Sequence, residues 1–308
     1  MSLPRCARLA FAALLLTTIA TPTVAEDLFR IRDEEGRHLD VFTPEGKPVL
    51  RYMYARDRSS KETSFDTAKV YAHVFAADGK TLLTKGPGGL FPHHRGIFIG
   101  WNKLKHGGGS HDLWHVRNTE QLHQEFVATK AEADGAVIVS RIDWIGTDGK
   151  PVIEETRTHR VTTPEGAHVV IDFTSAIKAV SADVELGGDP EHAGCQFRPS
   201  QKVAENKSAK YTFHEEGVDC KKDLDLPWVA ETFKIGDHLW TVQHMSHPDN
   251  PKGARWSAYR DYGRFGPFTV VKIPEGETAT FRYRFRITAG DAPDRESLGA
   301  AYQHYRAS

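Results

Sequence analysis

Hydrophobic and polar residues alternate along much of the chain. Over residues 281–288, Phe281, Tyr283, Phe285 and Ile287 fall on one face of an extended segment. Arg282, Arg284, Arg286 and Thr288 fall on the other. A period of two is the signature of a strand with one buried and one wet face. Residues 168–177 repeat it, with Val169, Ile171, Phe173 and Ile177 on one side. Residues 69–76, 136–145 and 156–162 read the same way. Asp78-Gly79, Asp148-Gly149 and Glu165-Gly166 lie between such runs and predict turns. Many short strands at this spacing predict one all-β domain over residues 26–308. The expected form is a large antiparallel β-sandwich, supersandwich-like or jelly-roll-like. Leu298, Ala301, Tyr302 and Tyr305 are spaced for a helix over 295–306, with Asp294 as its cap. This short C-terminal helix is the one helix the pattern predicts.

The first 25 residues stand apart from the fold. Arg5 and Arg8 precede an apolar run over residues 9–20, too short to span a bilayer. Thr23-Val24-Ala25 follows as a small-residue cleavage signature. A signal peptide over 1–25, cut after Ala25, is therefore expected, with a periplasmic or secreted product. No later segment is apolar enough to insert in a membrane. Loss of Arg5 and Arg8 leaves 38 basic against 41 acidic residues, a net charge of −3. That balance gives no support to a nucleic-acid partner. Cys195 and Cys220 remain in the exported part. Export permits a disulfide between them, but their spacing fits two buried thiols equally well.

Six of the 16 histidines fall between His93 and His123, among Arg95, Trp101 and Trp114. Imidazole binds metals, relays protons and hydrogen-bonds sugars near neutral pH. If residues 92–96 are extended, His93 and His94 point to opposite faces, and one of them is structural. Arg95 offers a fork suited to a carboxylate, or to an ordinary ion pair. His111 and His115 are four apart and share a face on a helix or a strand. They make half a site for one divalent metal ion. No HExxH or Cys-x-x-Cys is present, so a zinc-protease or zinc-finger site lacks its motif. Glu191 beside His192 reads as a proton-transfer pair, and Arg198 follows on the next strand. Pro248 and Pro251 pin a loop that presents His247, Asp249 and Asn250. Residues 259–266 set Arg260 and Asp261 between aromatic residues and glycines.

From these segments His94, His111, His115, His192 and His247 are expected in one cleft, at an end or on a concave face of the sandwich. His192 with Glu191 would be the acid-base pair and His94 the second proton-transfer group. Arg95, Trp101, Trp114, Arg198, His247, Asp249, Arg260 and Asp261 would hold a small carbohydrate substrate. His111 and His115 would hold the metal, if one binds.

The motifs HHRGIFIGW, DPEHAGCQFRPS, Leu226-Pro227-Trp228, HPDNP and YRDYGRFGPF occur in that order. Together they resemble a soluble exported bacterial family labelled "methane oxygenase PmoA", over nearly the whole exported chain. The resemblance implies a β-sandwich associated with sugar degradation, including action on 3-keto-glycosides. It brings no established catalytic residues. Phe91 stands where that family often has histidine before the proline. The label's methane chemistry belongs to an integral membrane subunit, and no spanning segment is present here. Three functions are therefore in view. The first is a carbohydrate lyase, hydrolase or epimerase using histidine and carboxylate groups. The second is a non-catalytic carbohydrate-binding sandwich. The third is a histidine-ligated redox metalloprotein. The number of acid-base candidates favours the first.

Overall fold

A computed structural model describes residues 28–307. The expected signal peptide over residues 1–25 and its cleavage site lie outside the described residues. Two antiparallel sheets dominate. One has six strands, ordered Arg30–Glu34, His38–Phe42, Pro48–Met53, Tyr71–Val74, Ile97–Trp101 and Ala193–Phe197. The other has eight, ordered Lys210–Phe213, Trp228–Ile235, His238–Ser246, Thr278–Ala289, Val169–Ala179, Pro151–Thr162, Ala136–Ile145 and Glu120–Ala131. A four-stranded sheet contains Lys103–His106 and Gly109–His111, and a two-stranded one joins Arg255–Ser257 to Gly266–Phe268.

The alternation explains why the sheets pack face to face. Ile287, Phe285 and Tyr283 sit opposite Val169, Ile171 and Phe173 in register, and all six are buried. Arg284 points to the other face and holds Asp172 through two bonds of 2.6 and 2.9 Å. The six-stranded sheet adds Leu39, Val41, Leu50, Ile97 and Ile99 to the same core. The molecule is thus an all-β sandwich.

Trp101 belongs to that core and not to a substrate platform. It shares the parity of Ile97 and Ile99, its Nε1 donates to the Thr269 carbonyl at 3.2 Å, and its ring lies against Trp144 and Phe281. Phe98 alternates to the sheet's opposite face. There it meets Trp114 and Tyr71 in a separate cluster. This outer face carries the candidate site.

The core also holds charge. Glu155 and Arg157 are fully buried and pair at 2.8 Å. Trp144 Nε1 and Ser175 Oγ also donate to Glu155, and Arg157 donates to the Val70 carbonyl. A buried pair survives only when its remaining hydrogen-bonding capacity is met in this way.

Helix Arg295–Arg306 forms as expected, with Asp294 accepting from the Ser297 amide at 2.7 Å. Leu298 and Tyr302 pack on Trp228 and Met245. Helices Lys61–Asp66 and Gln201–Asn206 also form, so the expectation of helix at the C-terminus alone is corrected. Six residues are too few to show a helical period in sequence. Cys195 and Cys220 are both free and buried. No helix among the described residues is long and apolar enough to cross a membrane.

Candidate active site

The site is built by four loops that converge over the outer face of strand Ile97–Trp101. The first, residues 85–95, is rich in glycine. It turns at Phe91, whose φ of 54° is left-handed, and closes with the His94 amide on the Phe91 carbonyl at 2.9 Å. The turn brings His93 and His94 together instead of opposing them, with ring centroids 4.5 Å apart. The expected split between a facing and a structural histidine is therefore corrected.

The second loop starts at Asp112. Its carboxylate accepts from the amides of Trp114 (3.2 Å) and His115 (2.8 Å), which bends the chain into an Asx turn. The other oxygen lies 2.8 Å from His115 Nδ1. Gly100 makes the close approach possible, since a Cβ there would stand 2.6 Å from the Leu113 carbonyl oxygen. The third loop repeats the device. Asp189 accepts from the Glu191 amide (3.0 Å) and lies 2.9 Å from His192 Nδ1. Both are Asp-x-x-His segments, and each fixes an imidazole by its own upstream carboxylate.

The rings then meet. His93 lies 4.5 Å from His115, His115 lies 5.2 Å from His192, and Trp114 stands 5.9 Å from His94 and 6.4 Å from His192. Trp114 is fully buried as the floor, whereas the His192 side chain is 38% exposed at the mouth. The fourth loop supplies Tyr262, 4.9 Å from Phe91 and 6.2 Å from His94. Behind it, Arg198 stacks on Tyr262 at 5.0 Å, and Arg264 donates to Gln196 and Ser257 at 2.9 and 2.8 Å. Glu231 points in from the eight-stranded sheet. A Cβ on Gly263 would stand 2.2 Å from its Oε1, so glycine makes room for that carboxyl.

The electrostatics separate the histidines into two kinds. Burial and the neighbouring Lys69 bring His93 down to about 2. Burial, with Arg264 nearby, holds His94 well below the usual imidazole range. Both are neutral at any ordinary pH. Burial opposes ionisation of Asp112 and Asp189, yet the bonds from His115 and His192 keep both below their ordinary values. Glu231 is pushed well above the usual carboxylate range by burial. Several buried polar atoms here have no hydrogen-bond partner among the described residues. They include His93 Nε2, His94 Nδ1, Trp114 Nε1, Arg198 Nε and Nη2, and both Glu231 oxygens. Such groups are costly to bury unpaired, although buried atoms away from the site, such as both ring nitrogens of His159 and of His244, are unpartnered as well.

Of the five histidines expected in one cleft, His94, His115 and His192 come together. His111 does not share a face with His115, because the Asp112 turn intervenes. It accepts from the Thr147 amide at 3.0 Å and neighbours His106. Among the described residues no three His, Cys, Asp or Glu side chains gather as a metal-ligand set. His247 packs on Tyr305 of the C-terminal helix, and Asp249 is exposed beside it. Glu191 does not serve His192. Its carboxylate takes the Tyr259 hydroxyl at 2.6 Å and the Arg260 guanidinium. Arg260 is thereby occupied at the rim, and Asp261 is exposed. Arg95 is fully buried, and its two terminal nitrogens donate to the carbonyls of Pro92, His94, Phe65 and Asp66, while its Nε has no partner among the described residues. It fastens the loop. Sequence reasoning missed His93, Asp112, Asp189, Tyr262, Arg264 and Glu231. The signals were there: two Asp-x-x-His repeats, and a lone glutamate on the apolar face of Val229 and Phe233.

Comparison with known proteins names a family but no reaction. The family described as "Family of unknown function (DUF6807)" matches residues 41–303. This chain belongs to that family. No curated protein matches it. Among solved structures, a candidate kojibiose phosphorylase from the human microbiome is similar at 8% identity and a TM-score of 0.37. The match covers 89% of this DUF6807 chain but 35% of that one.

Proposed function

We propose that this DUF6807 protein is an exported carbohydrate-active enzyme that moves protons on a glycoside or an oxidised, 3-keto sugar. One observation carries the reading: two Asp-x-x-His dyads whose imidazoles lie 5.2 Å apart, both partly open to solvent. In each dyad the carboxylate sits at Nδ1, which leaves Nε2 to give or take a proton. One dyad serves as base and the other as acid. His93 and His94 stay neutral beside them and hydrogen-bond hydroxyl groups. Tyr262, half-buried beside them, supplies an apolar face on which a sugar ring stacks, and the buried Trp114 supports the histidines from below. The lyase, hydrolase or epimerase choice follows from which bond lies between the dyads.

The ordered motifs shared with the family labelled "methane oxygenase PmoA", and the expected signal peptide, support a sugar-degrading role outside the cytoplasm. The test is a panel of glycosides and 3-keto-glycosides incubated with the mature protein, with product masses and binding both recorded. Conversion of at least one member is expected. Binding without any conversion would instead identify a carbohydrate-binding sandwich.

A further inference from the structure

Five cationic side chains are buried around the site: Lys69, Lys85, Arg95, Arg198 and Arg264, none more than 3% exposed. Buried cations are ordinarily paired with carboxylates. Among the described residues none of these five forms an ion pair. Lys69 donates to the His93 carbonyl at 2.8 Å, and Lys85 to the carbonyls of Gly86 and Gly88. Arg95 is held by four backbone carbonyls. Arg198 binds the carbonyls of Pro199 and Tyr262, while its Nε and Nη2 stay unpartnered. Arg264 uses Gln196, Ser257 and the Pro190 carbonyl. Every acceptor is neutral.

The nearby acids do not balance this charge. Glu231 is fully buried, but burial favours its protonated form. Asp112 and Asp189 are committed to His115 and His192, and Glu191, which feels Arg264, is committed to Tyr259 and Arg260. Asp66 is the remaining acid near Arg95 and Lys85, and it bonds neither. The cations also feel one another. Burial and then Arg95 pull Lys69 well below the lysine range, and burial and then Arg198 bring Lys85 to about 7. Two of the five adjoin the floor of the site. The Arg264 guanidinium lies 6.0 Å from the Trp114 ring and Lys69 Nζ lies 5.5 Å from it.

We infer that the site takes an anionic sugar, whose carboxylate or phosphate oxygens supply the counter-charge that the buried Arg198 and Arg264 guanidiniums lack. This deepens the carbohydrate reading above and rests on it. The oxyanion lodges over Trp114, in front of Arg264 and Arg198, and the sugar ring extends to the dyads at the mouth. Anions in such a low-dielectric setting gain far more from a guanidinium than they would in water.

The test uses the intact mature protein and three probes: a methyl glucoside, the matching methyl glucuronide, and glucose 1-phosphate. Dissociation constants come from calorimetry, and turnover is followed separately. At least one anionic probe should bind tenfold tighter or better than the glucoside. Preference for the glucuronide identifies a carboxylate, and preference for the sugar phosphate identifies a phosphate. Arg264→Gln should reduce the preference to threefold or less. If that variant does not fold, the wild-type comparison still decides. Equal or tighter binding of the neutral glucoside overturns the inference, even if the glucoside is converted and the enzyme reading stands. Tight binding of an anionic probe without conversion upholds the inference, and the enzyme reading then stands or falls on the glycoside panel.

Discussion

The rings of His115 and His192 lie 5.2 Å apart at an interplanar angle of 36°, each tethered by the aspartate three residues before it. Strand pairing makes this meeting possible. Ala193 pairs with Trp101 across the sheet, and the Leu113 amide bonds the Trp101 carbonyl. Both histidine loops therefore lie at the same end of one strand pair.

The tether is a working part of the site if the dyads move protons. Asp112→Asn and Asp189→Asn keep the side-chain shape but remove the charge that orients each imidazole. Each should lower kcat by about 10²–10⁴ with little change in melting temperature, since both aspartates are partly exposed. Wild-type kcat in both variants would show that the tethers are ordinary turn contacts.

His111 and His247 stand outside the cluster. His111→Gln and His247→Gln should leave kcat within about threefold, an effect under 1 kcal/mol by the tenfold-per-1.4 rule. A hundredfold loss at either position would mean that the working site is larger than the His93, His94, His115 and His192 group.

Buried neutral histidines make stability depend on pH. Burial lowers His73 and His159 to about 3 and His93 to about 2, and His94 and His244 also lie well below the usual value. Each folded-state value lies below the unfolded one, so the unfolded chain takes up more protons below about pH 6.5. The stabilising contribution is complete above that pH and is lost as pH falls toward 3. Each such histidine adds up to about 1.4 kcal/mol per pH unit to the slope. Urea midpoints measured from pH 7 to 4 should fall steeply, and His159→Gln should flatten the fall. A midpoint constant over that range would contradict the buried placement.

The Glu155 carboxylate is the partner of a guanidinium with no solvent access. Glu155→Ala leaves Arg157 uncompensated and should cost about 3–5 kcal/mol, read as a lower urea midpoint. Loss of less than about 1 kcal/mol would place the pair at an exposed position, where ion pairs contribute little.

Much of the fold was legible because period-two alternation is a local signal. The strands around Ile138, Phe173 and Phe285 and the capped helix at Asp294 all follow from it. The site was legible only in part, because loops obey side-chain hydrogen bonds that spacing does not reveal. His192 stands next to Glu191 in sequence, but adjacent side chains on a turn diverge, and Asp189 closes the ring contact instead. The shared face of His111 and His115 assumed a regular element, which Asp112 interrupts. Trp101 was readable as core, since it continues the parity of Ile97 and Ile99. Glu231 and Arg264 come from distant segments, and nothing local announces that they meet Arg198.

Kinetics and binding of His115→Gln and His192→Gln on a substrate drawn from the glycoside panel test the central claim most directly. Each variant should lose at least about a hundredfold in kcat, while its dissociation constant stays within about threefold of wild type. Turnover at the wild-type rate in both variants would contradict the assignment of the dyads as the acid and the base.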